Sequence, residues 1–410
     1  MSENRRLLRI MCNFFAPRQA GGNCLNHQRL HRSCAGLGLS LVAIALPTVA
    51  SAADRALTLD TSVIVDGMVS TSKDGAESGV AAKLDAALLL DGTSLGAPGL
   101  TGMASVTAYG GEGISGSLGD LQGVSNIAAT RMVRPINAWL QYGSDRFAVK
   151  AGVMDTNADF DENNVGAVFI GSSHGIGPEL SSSGLNGVGA VPNTALGVVG
   201  FLTDEASGLK LRAGVFTGRP GDPDRPRRLS WKFGDGTGTF SIAEVDWTGP
   251  SHRMAFGVWH HSAELPRVDG TGNHRGSTGG FALVEGTLAG KSADPASGEA
   301  RGARLDGWMR LGIADRATAP VTRYVGGGLV TTGFWDKHPE DTLGLAVAYA
   351  VANDTAGPDV VPETSIELTY QHAFGSGVTV QPDVQWLLHP GADRTRSNAV
   401  VFGLRLIAVR

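Results

Sequence analysis

Residues 155–175 carry two constellations that resemble reactive sites. Gly171-Ser172-Ser173-His174-Gly175 fits G-x-S-x-G, the elbow that presents a nucleophilic serine in α/β-hydrolases. That chemistry needs a strand before the serine and a helix after it. Here the pattern lies in a glycine-rich stretch with no helical periodicity behind it, so Ser173 reads as a small packing residue. Asp155, Asn157, Asp159, Asp161 and Glu162 imitate the alternate oxygen ligands of a calcium loop. The imitation fails at Phe160, where the sharp turn wants glycine, and at Gly166, where a bidentate glutamate belongs. A solvated acidic loop, part of it lining a constriction, is the preferred reading. His252, His260 and His261 offer metal-binding side chains, but neighbours on a strand point to opposite faces and cannot chelate together. No metal and no cofactor is expected.

Trp139, Phe160 and Trp259 suit the apolar faces of sugars, and they suit equally the aromatic girdle of a membrane rim. Trp139 and Trp259 share a face with Asn137, Gln141, Arg253 and His261, which admits a position in a polar interior.

The elements that position these residues are strands. Leu209, Leu211, Ala213 and Val215 alternate with Lys210, Arg212 and Gly214; Ile366, Leu368 and Tyr370 alternate with Glu367, Thr369 and Gln371. About sixteen such segments are expected, near 55–70, 79–91, 99–109, 135–143, 145–153, 194–203, 207–217, 238–248, 251–261, 277–289, 302–314, 321–335, 341–352, 362–374, 377–388 and 396–408. Tight turns at Gly143-Ser144-Asp145, Asp204-Glu205-Ala206, Thr248-Gly249-Pro250 and Gly375-Ser376-Gly377 alternate with long connections at 110–134, 154–193 and 218–237. Short turns on one rim and long loops on the other are the plan of an antiparallel transmembrane β-barrel. Two connections break the rule, 290–301 being long and 315–320 short.

The oily face then meets lipid, and the other carries Lys83, Asp85, Arg146, Lys150, Lys210, Arg212, Glu244, Asp246, Glu367, Asp383 and Arg405. So many charges need hydration or partners. A water-filled lumen is the expected solution.

Ahead of the barrel, His27, Arg29, His31 and Arg32 precede an apolar run from Cys34 through Leu46, and Ala50-Ser51-Ala52 supplies a small-residue cleavage pattern. Residues 1–52 read as a signal peptide with an extended basic region, and 53–410 as the barrel domain, exported by a Sec-type route. All three cysteines, Cys12, Cys24 and Cys34, lie in the leader, so the mature chain has no disulfide and no thiolate metal site. Cleavage lowers the basic residues from 34 to 28 and the acids from 39 to 38, a net charge of −10, which disfavours nucleic acid as a partner.

Particular segments resemble the carbohydrate-selective porins of the OprB type. They are GDLQGVSNI at 119–127, Asn137-Ala138-Trp139-Leu140-Gln141, Asp159-Phe160, Val191-Pro192, Ala213-Gly214-Val215-Phe216, Phe256-Gly257-Val258-Trp259-His260, Glu340-Asp341-Thr342-Leu343-Gly344 and Gln381-Pro382-Asp383-Val384-Gln385, in the family's order. The chain departs from such barrels in ending Ala408-Val409-Arg410 rather than on an aromatic residue. The resemblance implies a non-enzymatic, monomeric, outer-membrane barrel passing mono- or oligosaccharides passively, narrowed by an inward loop. Its other partners would be outer-membrane lipids and the barrel assembly machinery. The constriction is expected at Arg131, Arg134, Asp159, Asp161 and Glu162, with Phe160 as a stacking surface and Trp139, Lys150 and Arg146 on the adjoining wall. A barrel-borne lipid or ester hydrolase and an exported glycan-binding β-sandwich are the rival readings. Neither explains the alternating loop lengths.

Overall fold

The computed structural model describes residues 56–410 apart from 74, 222–226, 229–232, 234–235, 291–301 and 376. The proposed signal peptide, the connection 290–301 for the most part, and Ser376 in its turn therefore lie outside the described residues. Sixteen antiparallel strands close into one barrel. They are β1 (Leu57–Ser72), β2 (Gly75–Asp91), β3 (Leu100–Gly111), β4 (Ala129–Gly143), β5 (Phe147–Met154), β6 (Ala195–Asp204), β7 (Leu209–Thr217) and β8 (Thr239–Thr248). Then follow β9 (His252–Pro266), β10 (Asn273–Ala289), β11 (Arg304–Ala314), β12 (Val321–Thr332), β13 (Thr342–Ala352), β14 (Glu363–Phe374), β15 (Val378–Leu388) and β16 (Ala399–Val409). β1 pairs with β16 from Ser62↔Val409 to Ser72↔Ala399, so neither strand leaves an open edge. Every segment expected from the alternation is present.

Closure follows from the faces. Side chains that alternate outward, such as Leu140, Phe256, Val258, Ile313, Leu345, Phe402 and Leu404, remain exposed and form the lipid-facing belt. Glycine permits close inward approaches: a Cβ on Gly257 would stand 2.2 Å from the Phe281 ring.

β4 begins six residues earlier than the alternation suggested, at Ala129 rather than 135, so Arg131 and Arg134 belong to a strand and not to the preceding loop. A charge on each face, followed at once by Pro135, hides the period. Pro135 is tolerated beside a bulge, where the register with β3 shifts between Ser105 and Val106. β9 and β10 are likewise longer than expected, leaving residues 267–272 as their loop.

Candidate functional site

The loop between β5 and β6, residues 155–194, folds into the lumen. It starts on Asp155, whose carboxylate accepts from the Asn157 and Val191 amides at 3.1 and 3.3 Å. Phe160 then enters an apolar cluster with Leu180, Val188, Phe216, Phe240, Trp259 and Phe281, its ring 6.3 Å from Phe216 in an edge contact. Further along, Phe169 packs with Leu283, Trp308 and Val330. The β3–β4 loop, residues 112–128, also turns inward: its Ile114 and Val124 join Ile170, Leu387 and Val401.

Charged groups of the wall grip both loops. Arg310 of β11 donates twice to Asp161 at 2.7 Å and reaches Glu179 at 2.8 Å, all three side chains being essentially inaccessible. Gly177 permits this approach, since a Cβ there would stand 1.9 Å from Arg310 Nη1. Glu367 of β14 accepts from the Ile170 and Gly171 amides at 2.6 and 2.9 Å. Glu363 does the same for Leu121 and Gln122, and Glu285 for Val165. The Gln381 and Gln385 amides donate to the Val168 and Val124 carbonyls at 2.8 and 2.9 Å. Arg212 links Glu162, Glu244 and Asp246, while Arg405 donates to Asp66 and Asn126. The expectation that water hydrates the lumen charges is thereby corrected for these residues. Two loops fill that part of the lumen, and pairing replaces hydration.

The wall of β2 to β5 is different. Lys83 bridges to Asp85 at 3.1 Å, with their side chains still 22% and 25% exposed. Asp85 accepts from Thr107 at 2.5 Å and Ser62 at 3.2 Å. Ser105 accepts from Asn137 Nδ2 at 3.1 Å, and Asn137 Oδ1 accepts from the Asp155 amide at 3.3 Å. Lys150 Nζ lies 4.3 Å from the Trp139 ring centre and 2.8 Å from Asp159. Asn137, Trp139 and Gln141 remain partly accessible. Burial raises the carboxyl of Asp155 to about 6, against the pull of its two amide donors, with Asp159 raising it further and Lys83 lowering it. Burial also raises Asp159, opposed by Lys150. Two further cavities open where the loop meets the wall. One, of about 530 Å³, lies between Asn164–Val168 and Thr287, Arg304, Asp306, Thr332 and Gln371. The other, of about 280 Å³, is lined by Glu162, Lys210, Arg212 and Arg253.

The expected constriction residues thus divide. Lys150, Trp139 and Asp159 come together, and Arg134 faces the lumen, fully buried, donating to Asn193 at 3.0 Å. Asp161 and Glu162 face inward as clamps on Arg310 and Arg212. Three positions require correction as pore-lining groups. Arg131 points outward beside Val133 and Pro135, its Nε donating to the Gly110 carbonyl at 3.2 Å, because it lies out of phase with Arg134 along β4. Phe160 is 1% exposed and offers no stacking surface, since it anchors the loop. Arg146 stands exposed in the β4–β5 turn at the rim.

Sequence reasoning missed Arg310, Glu179, Glu285 and Glu363. Arg310 had a signal, the alternation Trp308-Met309-Arg310-Leu311, whereas Glu179 sits in a loop without period. Ser173 occupies a single 3-10 turn, Ser172–His174, and its carbonyl accepts from Tyr324 Oη at 2.7 Å, so the context of a nucleophile elbow is missing. Nor do the loop acids converge on a cation: Asp155 caps backbone amides, Asp159 meets Lys150 and Asp161 meets Arg310.

A family model described as carbohydrate-selective porin, OprB family, matches residues 81–408. The fold is similar to the high-pH structure of Pseudomonas putida OprB, with a TM-score of 0.77 and 17% identity over 87% of this chain and 94% of that one. The low-pH structure of the same protein aligns with a TM-score of 0.54 and 12% identity over 87% and 93%. No curated protein sequence matches.

Proposed function

From the premise that this chain belongs to the carbohydrate-selective porin, OprB family, and is an outer-membrane porin, we propose that it passes mono- or oligosaccharides by passive diffusion along the β2–β5 wall. One observation carries this reading. The inward loops are pinned to the remaining wall at Arg212, Glu285, Arg310, Glu363 and Glu367, with only local cavities between them, while Lys83, Asp85, Asn137, Trp139 and Gln141 keep part of their surface accessible. Sugars exchange water hydrogen bonds for bonds to these polar groups, and the Trp139 face takes up their C–H surface. Lys150 and Asp159 fix that tryptophan and set a local balance of charge. No chemical step is assigned, and Ser173 serves packing.

Residues 1–52 act in this reading as a leader for Sec-type export, cut before Ala53, after which the assembly machinery inserts 53–410 among outer-membrane lipids. Liposome swelling tests the transport. Reconstituted protein should admit small sugars at rates that fall with sugar size, whereas swelling in salts but not in isosmotic sugars would overturn the assignment.

A further inference from the structure

A second polar group lies away from the lumen, at the rim formed by the β12–β13 turn and the end of β14. Asp341 closes that turn with a side chain only 2% exposed. Its Oδ2 accepts from the Tyr370 hydroxyl, and its Oδ1 stands 2.8 Å from His372 Nδ1. His338, exposed in the same turn, faces His372 with ring centres 5.0 Å apart and planes at 81°. One ligand atom from each of His338, Asp341 and His372 lies within 4.8 Å of the other two, and this is the one such group among the described residues.

We propose that His338, Asp341 and His372 bind a divalent transition-metal ion of the Zn2+ type at this rim. Two imidazoles and one carboxylate are the donor set that borderline ions take, while Ca2+ and Mg2+ require more oxygens than the group offers. Ligand bonds of about 2.0–2.2 Å hold donor atoms roughly 3–4 Å apart. The buried Asp341 and its neighbour His372 stand closer than that, at 2.8 Å, so binding parts them by about half an ångström, and closure needs a rotation of His338, which its exposed position allows. Tyr370 supplies the outer partner that orients the carboxylate, as outer hydrogen bonds do around metal centres. The ion displaces the proton now shared between His372 and Asp341, and water completes the tetrahedron.

Parity along β14 places the site. Gln371 faces the lumen, so Tyr370, His372 and Phe374 face outward, where Trp335 and Phe334 pack against Tyr370. By the parity of the connections, this rim is the one with the short turns, where the periplasm meets the membrane interface. Binding there staples the turn 333–341 to β14 and leaves the solute path untouched.

Isothermal titration of the detergent-solubilised full chain, without a polyhistidine tag, with Zn2+ alone tests the site. We expect one equivalent bound, Co2+ substitution giving the intense visible bands of tetrahedral cobalt, and no competition from Ca2+. His338→Ala should weaken Zn2+ at least about tenfold with the β-signal in circular dichroism retained, and His372→Gln should do likewise; His252→Ala should change nothing. Sugar flux in liposomes should be equal with and without Zn2+. Absence of binding, a cobalt spectrum that stays octahedral, or equal affinity in wild type and His338→Ala would overturn the site.

Discussion

Two sectors of one lumen wall use the same residue types for opposite ends. Across β8 to β14, Glu244, Glu285, Arg310, Glu363 and Glu367 are buried and spend their hydrogen bonds on loop amides and loop carboxylates. Across β2 to β5, Arg134 and Lys150 are also buried against the loop, at Asn193 and Asp159, but Lys83, Asp85, Asn137 and Trp139 keep water-accessible surface. Inward alternation fixes only that a residue faces the lumen. Whether it clamps a loop or meets a solute depends on which wall the loop lies against.

The sharpest way to break this contrast is Arg310→Ala. It leaves Asp161 and Glu179 as buried carboxylates without their guanidinium, a loss of about 3–5 kcal/mol in loop docking. Conductance should rise and residues 155–194 should become sensitive to protease. Unchanged conductance and protection would mean that the apolar cluster around Phe160 holds the loop unaided.

Asp155 provides a smaller, pH-dependent test. Its folded pKa of about 6 lies above the ordinary carboxylate value of 3.8, so its protonated form favours the docked loop. That contribution is complete below about pH 4 and is lost as pH rises through about 6. Asp155→Asn, which keeps an oxygen acceptor for the Asn157 amide, should raise stability at pH 7 by about 1 kcal/mol and flatten denaturation midpoints between pH 4 and 6. A variant whose midpoints keep the wild-type pH slope would contradict the assignment.

Within the accessible sector, Lys83→Gln should alter stability by less than about 1 kcal/mol, because the pair with Asp85 is partly hydrated. Its effect should appear in ion preference, as a reversal potential moved toward cations. Stability loss with unchanged reversal potential would place Lys83 among the clamps. Arg131→Ala should do least, within about 0.5 kcal/mol and without change in selectivity, since the side chain lies on the outer face. A selectivity change there would show that the outer rim of β4 reaches the solute path.

Much of the barrel was legible in the sequence because two faces in unlike solvents impose a period of two, as in Leu209–Val215 and Ile366–Gln371. β4 was read short because Arg131 and Arg134 stand on opposite faces just before Pro135. The candidate site was legible in part. Lys150, Trp139 and Asp159 were named and lie together, whereas Phe160 was named as a stacking surface and is an anchor. Nothing local separates these outcomes: the partners of Phe160 and Asp161 come from β7, β8 and β11, 56 to 149 positions away in the chain. His338, Asp341 and His372 likewise meet only through pairing of β13 with β14.

The proposed sugar path runs along the wall that carries Trp139. Single-channel recording in planar bilayers, with sugar added at increasing concentration, tests it most directly. Wild type should show concentration-dependent block of the ionic current, and Trp139→Ala should keep its conductance while the half-blocking sugar concentration rises severalfold. Identical sugar block in wild type and Trp139→Ala, or a wild-type current indifferent to sugar, would contradict it.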